Sequence, residues 1–336
     1  MEDARARRER GALMIKPPEK GDRIGHYVVD DLIARGGMAS IFRGTDLSTG
    51  NPVAIKIPHP ELESDVLFFD RFHREAEIGR KLNHPGVVKA LPNEDTGRVC
   101  MIMEWVEGTR LRDIIDTQGK LPPERALRIA VRICQALDYV HMHGVVHRDL
   151  KPDNILVDAN DGIKLLDFGI AGEVGARRLT FGKLTKSMGT PDYVAPEQVK
   201  GKRGDARTDI YSLGIILFEM ISGEVPFRGP NPVVAMNQRL LNRAVLPSDV
   251  EQAIAPELRE VIYRALERDP RNRYVSVREF AWDLEHPGHV DVAELVEMRA
   301  VHQQLTSKGR LAWSYFAIAL IPVLIFALLL FVARHQ

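Results

Sequence analysis

The sequence predicts an α+β fold: a strand-rich part carrying one helix, then a larger and mostly helical part, then one helix of membrane-spanning length. Three observations lead there. Short runs rich in β-branched and aromatic residues, split by turn residues, fill 24–103. Apolar residues recurring every three or four positions dominate 109–286. From 311 to 332 the chain carries no charged residue.

Residues 1–22 are charged and include Pro17-Pro18, the composition of a flexible arm. Strands are predicted over 27–32, 40–44, 53–57 and 99–103, and a helix over 65–82. The clearest helix spans 123–143, where Ala126, Ile129, Ala130, Ile133, Leu137 and Val140 share one face. Pro122-Pro123 opens it and Gly144 ends it, the punctuation a helix calls for. Residues 287–310 are polar and read as a tether. The uncharged segment after it would rise about 33 Å as a helix, against a hydrocarbon core of about 30 Å. Trp313 and Tyr315 stand at one end, where amphipathic rings favour the interface, and Pro322 is tolerated in a membrane helix. Lys308 and Arg310 on one side and Arg334 on the other leave little charge asymmetry to orient it. Nothing near residue 1 reads as a signal peptide, so a single C-terminal anchor over 311–333 is expected.

With 336 residues, 45% of them hydrophobic, the chain has ample material for a core and is neither collagen-like nor disulfide-stapled. Forty-six basic and 46 acidic side chains cancel, which argues against a nucleic-acid binder. Cys100 and Cys134 sit in apolar runs and are expected in the core of a reduced protein. His141-Met142-His143 is not read as a metal pair, because i and i+2 on a helix face apart.

The strongest chemical signal is His147-Arg148-Asp149-Leu150-Lys151-Pro152-Asp153-Asn154, lying between a helix and the apolar strand Ile155-Leu156-Val157. It places a carboxylate, a cation and an amide within six residues, the parts a phosphoryl-transfer site needs. Asp167-Phe168-Gly169 follows 13 residues after Asn154 and offers a second carboxylate for a Mg²⁺ that bridges phosphates. Upstream stand Val53-Ala54-Ile55-Lys56, then Glu75 in Arg74-Glu75-Ala76, then Met103-Glu104-Trp105-Val106-Glu107-Gly108. Downstream come Ala195-Pro196-Glu197, Asp209 in Asp-Ile-Tyr-Ser-Leu-Gly, and Arg273 in Arg-Asp-Pro-Arg-Asn-Arg.

In that order and spacing these motifs resemble the eukaryotic-like protein kinases, most closely their bacterial serine/threonine members, over about residues 24–286. The resemblance implies the two-lobed kinase fold within 23–286: a small antiparallel β-sheet lobe (23–103), a hinge (104–108) and a larger α-helical lobe (109–286). It implies ATP and Mg²⁺ in the cleft, with Asp149 as catalytic base, Lys151 on the γ-phosphate, Lys56 on the α- and β-phosphates paired with Glu75, and Asn154 and Asp167 on the metal. The nucleotide would be lined by Ala34, Arg35, Gly36, Gly37, Met38, Ala39 and Ile41 above, by Ala54 and Lys56, and by Met103, Glu104, Val106 and Glu107 at the hinge. Lys151 is the serine/threonine version of the catalytic loop, and Thr190 matches the threonine that supports base and lysine in that class.

The glycine-rich loop departs from the family's Gly-x-Gly-x-x-Gly pattern, keeping only the middle glycine, Gly36, with Gly37 beside it. Ala34 is expected to restrict the turn and to weaken ATP binding or slow turnover without abolishing activity, while Ala39 is a mild change. Thr180, Thr185 and Ser187, among basic residues between Asp167 and Glu197, are expected sites of activation-loop phosphorylation, with Arg148 as the phosphate's partner. The resemblance implies protein substrates and a transient homodimer in autophosphorylation. Because ATP and Mg²⁺ are intracellular, the kinase part is expected to face the cytoplasm, held to the membrane by its C-terminal helix.

Overall fold

The computed structural model describes residues 17–62, 66–92, 99–167, 191–293 and 296. Five antiparallel strands run in sequence order as one sheet: β1 (Arg23–Ile24), β2 (Tyr27–Arg35), β3 (Ala39–Asp46), β4 (Pro52–Pro58) and β5 (Met101–Glu104). The chain before β1 joins the ladder too, since Gly21 N–H donates to Val29 O and Val29 N–H to Asp22 O, both within 2.9 Å. Side chains alternate between the two faces of a strand, and that period sorts the small lobe. Val53, Ile55 and Ile57 of β4 point to one face, where they pack with Tyr27, Val29, Phe42 and Ile102. Gly44 lies at the crowded centre of this sheet, where a Cβ would come within 2.7 Å of both Ile55 Cδ1 and Val28 O. Only glycine fits so close an approach.

The other face carries Ala54 and Lys56, with their cross-strand partners Met103 and Met101 on β5 and Ile41 opposite Lys56 on β3. Helix α1 (Val66–Lys81) covers this face, burying Phe72 with Met101, Met103 and Val88, while Phe68 and Ala76 pack at the edge. A partly buried Leu166, from the helical lobe, joins the same cluster.

The helical lobe is built round α5 (Ala206–Ser222), on which every residue from Thr208 onward is buried. Such a helix must be covered on all sides. Helix α3 (Pro123–Met142) packs against it and against α9 (Val277–Glu285), and α8 (Pro256–Ala265) against α5 and α9. On α3 the predicted stripe is the buried one: Ile129, Ile133, Leu137 and Val140 are fully inaccessible, each burial stabilising by roughly 2 kcal/mol. Asp205 caps α5 by accepting from Arg207 N–H, and Gly223 closes it in the left-handed conformation. The lobe also holds α2 (Leu111–Gln118), α4 (Pro196–Val199), α6 (Pro232–Leu241) and α7 (Ser248–Ala253), and a small sheet of β6 (Thr109–Arg110), β7 (Ile155–Val157) and β8 (Ile163–Leu165). Cys100 and Cys134 are buried free thiols.

One compact unit ends at Pro287 and a second begins at Gly288. The apolar segment over 311–333 lies outside the described residues, and among those no helix is long and apolar enough to cross a membrane.

A buried ion pair ties α4 to the end of the lobe. Arg273, fully inaccessible, forks onto both oxygens of Glu197 at 2.8 Å, Thr208 Oγ1–H adds a third bond to the carboxylate, and the Arg273 guanidinium lies over the Tyr211 ring. Breaking such a pair leaves one buried charge uncompensated. Glu197→Gln is therefore expected to lower unfolding stability by about 3 kcal/mol, read as a drop of several degrees in a thermal melt; an unchanged melting temperature would refute it.

Candidate active site

The face alternation of β4 aims Lys56 at α1. Its Nζ donates to Glu75 Oε1 at 2.8 Å and, across the cleft, to Asp167 Oδ1 at 2.7 Å. One ammonium thus sits between two carboxylates, one from each lobe. Burial alone would lower the Lys56 pKa, but Asp167 and Glu75 outweigh it and hold the ammonium well above the usual lysine range. Burial pushes the Glu75 carboxyl up, and Asp167 adds to the effect against the pull of Lys56. At Asp167 burial acts in the same sense, but Lys56 overcomes it and the carboxyl is held below its ordinary value. Of the two carboxyls, Glu75 is the one that takes up a proton first as pH falls.

The second half of the site is the loop after α3. Lys151 Nζ donates to Asp149 Oδ2 at 2.9 Å. Asn154 Nδ2 donates to Asp149 O at 2.9 Å and to Asp149 Oδ2 at 3.1 Å. The amide is thereby oriented with its nitrogen engaged, so its oxygen is the end presented as a donor to a hard cation. Asp167 and Asn154 offer a carboxylate and an amide oxygen, a fitting set for Mg²⁺. Among the described residues no three His, Cys, Asp or Glu side chains group as a metal site. A cation held here would draw its remaining ligands from a nucleotide's phosphates and water.

The loop conformation is strained and over-determined. Arg148 has φ 61° and Asp167 φ 36°, both in the left-handed region that side chains disfavour. Fully buried Asp209 accepts the backbone N–H of His147 and of Arg148, each at 2.8 Å, and His141 Nε2–H at 2.7 Å. Gln198 Nε2–H donates to Arg148 O at 2.9 Å. His147, itself buried, donates from Nε2 to Leu166 O at 3.1 Å, and Leu166 N–H returns to Asn154 O at 2.8 Å. Sequence reasoning found Asp209 but missed His141 and Gln198. His141 is the second-last residue of α3, six positions before His147, a signal legible only once Asp209 is known to reach it.

Over the cleft, β2 and β3 turn at Gly36-Gly37-Met38, closed by Gly36 N–H to Ala39 O at 2.9 Å. The tip is tied down, Met38 O accepting from His59 N–H at 2.9 Å. The expected restriction by Ala34 has no basis in the backbone: Ala34 pairs with Ile41 inside the ladder, beside Arg35 with Ser40, and has no positive φ. At the hinge, Met103 is buried in the α1 cluster with Ala54 and Val106 beside it. The Glu104 carboxylate accepts from Lys89 N–H and pairs with Lys164, and Glu107 accepts from Trp105 Nε1 at 2.8 Å. With these carboxylates engaged, a ligand contact from 104–107 would come from the backbone. Thr180, Thr185, Ser187 and Thr190 lie outside the described residues.

This chain belongs to the protein kinase family: the protein kinase domain matches residues 27–282. It is 37% identical over 306 residues to the serine/threonine-protein kinase PknB of Mycobacterium leprae, covering 88% of this chain and 48% of that protein. PknB of Mycolicibacterium smegmatis is 38% identical over 279 residues, 81% of this chain and 44% of the relative. The chain thus spans about half the length of the curated relatives it matches. Among solved structures, the PknI kinase domain of Mycobacterium tuberculosis superposes with a TM-score of 0.62 at 26% identity, covering 81% of this chain and 100% of that one. Rad53 in complex with AMP-PNP gives 0.63 at 29% identity, over 78% of this chain and 65% of the other.

The raised Glu75 has a consequence for stability. An unfolded glutamate titrates near 4.3, the folded one at about 7. Between those values the folded state binds more protons, so Glu75 costs stability as pH rises through the window. Glu75→Gln removes that titration. Its melting temperature relative to the unmodified protein is expected to rise from about pH 5 to about pH 8; a difference independent of pH would contradict this.

Proposed function

We propose that the chain transfers the γ-phosphoryl group of ATP to serine or threonine hydroxyls of proteins. The observation that carries this is Lys56 bridging Glu75 and Asp167 across the cleft, opposite a loop in which Asp149, Lys151 and Asn154 are bonded together. In this reading Asp149 orients the acceptor hydroxyl and takes its proton, while Lys151, 2.9 Å away, offsets negative charge on the group in transfer. Lys56 binds the α- and β-phosphates, held in position by Glu75. Asn154 and Asp167 hold Mg²⁺, which would neutralise charge on the phosphates. The roof from Ala34 to Ile41, with Ala54, Met103 and the backbone of 104–107, receives the nucleotide. Relatives named as serine/threonine-protein kinases support the acceptor class.

Thr180, Thr185 and Ser187 are proposed as autophosphorylation sites, reached in a transient homodimer, and Thr190 as a support of the catalytic loop. Arg148, one residue before Asp149, is proposed as the partner of a phosphate added there. The 22 uncharged residues of 311–332 are proposed to anchor the chain in the membrane, kinase domain on the cytoplasmic side.

With radiolabelled ATP and Mg²⁺, label is expected on the chain itself and on a generic protein substrate. Asp149→Asn should cut the rate at least about a hundredfold, the contribution of a general base. Mass spectrometry of the active protein should find phosphate on at least one of Thr180, Thr185 and Ser187; all three unmodified would remove the loop from the proposal. Label transfer unchanged in Asp149→Asn would overturn the proposed chemistry. Expressed in cells, the full chain should resist carbonate extraction from membranes, and a chain ending at residue 306 should be released. Equal release of both would refute the anchor.

A further inference from the structure

Of the glycine pattern the roof keeps only Gly36, with Gly37 beside it, and neither has a positive φ. A Cβ on Gly37 would meet nothing within 4 Å, and the Met38 side chain is exposed. The tip therefore gains little from packing and is held by hydrogen bonds. Gly36 N–H to Ala39 O closes the turn on itself. Beyond the ladder of β3 and β4, the bonds that reach the tip come from one residue, His59. Its N–H donates to Met38 O at 2.9 Å, and its ring Nε2 shares a hydrogen bond of 3.3 Å with Ser40 Oγ. Among the described residues no other side chain bonds to 36–40.

The sequence around His59 fixes it for this task. Pro58 ends β4 opposite Ala39 and has no N–H to give, so the next donor along the strand is His59. Pro60 favours extended backbone at the residue before it. From the short turn Pro60–Leu62, Leu62 N–H donates back to His59 O at 2.9 Å. His59 is thus held on both sides and cannot follow the tip if the tip lifts. Strand alternation then decides which face it serves. Ser40 pairs with Ile57, whose side chain lies in the core, whereas Ile41 pairs with Lys56 on the cleft side. The Ser40–His59 bond therefore lies on the face of the sheet turned away from Lys56. His59 grips the roof from outside, and only three positions separate it from Lys56 on the same stretch of chain.

We propose that His59 is a positioning residue for the nucleotide's phosphates: by holding Met38 and Ser40 from the outer face, it keeps the roof tip down over them. The proposal rests on the phosphotransfer reading above and adds a residue to that site. His59 acts through the loop and not by contact. Its loss loosens the grip on the phosphates and leaves the contacts of adenine, made at Ala54, Met103 and the hinge backbone, as they are.

The test uses the full chain in four forms: unmodified, His59→Leu, Ser40→Ala and the two substitutions together. Binding of ATP with Mg²⁺ and of adenosine is measured by calorimetry, which needs no turnover, and phosphate transfer by steady-state kinetics. His59→Leu keeps the backbone N–H and removes only the ring. It is expected to weaken ATP about three- to fivefold, the worth of one neutral hydrogen bond, and to leave adenosine unchanged. KM for ATP should rise by the same factor while kcat stays within about twofold. Ser40→Ala cuts the same bond from its other end, so it should match, and the double variant should be no weaker than either single one. His59→Gln, which places an amide near the position of Nε2, should recover most of the affinity. Equal ATP affinity in all four forms would overturn the role of His59 and leave the kinase reading standing. Adenosine weakening in step with ATP, or losses that add in the double variant, would overturn it too. An unmodified chain that binds no ATP would overturn the nucleotide reading along with it.

Discussion

Asp209 is a carboxylate with no access to water, and what satisfies it is the backbone of the loop it carries. A buried charge is tolerated only when its acceptor sites are filled, and here the donors are the N–H groups of His147 and Arg148 and the His141 ring. The loop needs the carboxylate as much as the carboxylate needs the loop. Arg148 is held at φ 61°, a conformation that costs on the order of 1–2 kcal/mol in a side-chain-bearing residue. Asp209 fixes its nitrogen side and Gln198 its carbonyl side. Asp149 is the next residue, so its direction follows from that constraint. Because Asp209 sits near the start of α5, the buried axis of the helical lobe, the loop inherits the rigidity of that core.

The small lobe depends on a different constraint, the strict two-residue period of a strand. Once Val53, Ile55 and Ile57 are committed to one core, Ala54 and Lys56 must face α1. Helix α1 brings Glu75 to that face, and the apolar packing of Phe72 against Met101 and Met103 sets its distance. The result is one cation between two carboxylates. Where both carboxyls are ionised, one negative charge is left in excess within the cleft, which fits a site completed by a divalent cation rather than by another anion alone.

Much of this was legible in the residues. The β4 alternation, the α3 stripe and the motif order each follow a local rule, and the structure places them where that rule sends them: Ile129, Ile133, Leu137 and Val140 are buried, and Lys56 meets Glu75. What was not legible depends on distant segments meeting. His141 looked like half of a dismissed metal pair and proves to be a hydrogen-bond donor to a residue 68 positions away. Gln198 carried no signal at all, because a side-chain amide on a four-residue helix says nothing of the carbonyl it reaches. Ala34 misled in the opposite sense. A glycine pattern suggests a required backbone conformation, but this strand position is extended and the turn begins only at Gly36.

Asp167 shows how the two constraints meet in one residue. It stands at φ 36°, immediately after Leu166. Leu166 is bonded on both sides to the helical lobe, through His147 and Asn154, yet its side chain packs into the cluster of α1, β4 and β5. The adjoining strand is tied in the same way, with Leu165 O accepting from Val88 N–H and Leu165 N–H donating to Gly86 O. The position of the Asp167 carboxylate is therefore set jointly by a polar loop held from Asp209 and by apolar packing beneath the sheet. Its bond to Lys56 is the point where these independent structures must agree within hydrogen-bond distance. A change in the packing at Met103 or Phe72 would thus act on the same bond as a change at His147, without touching a charge in either case.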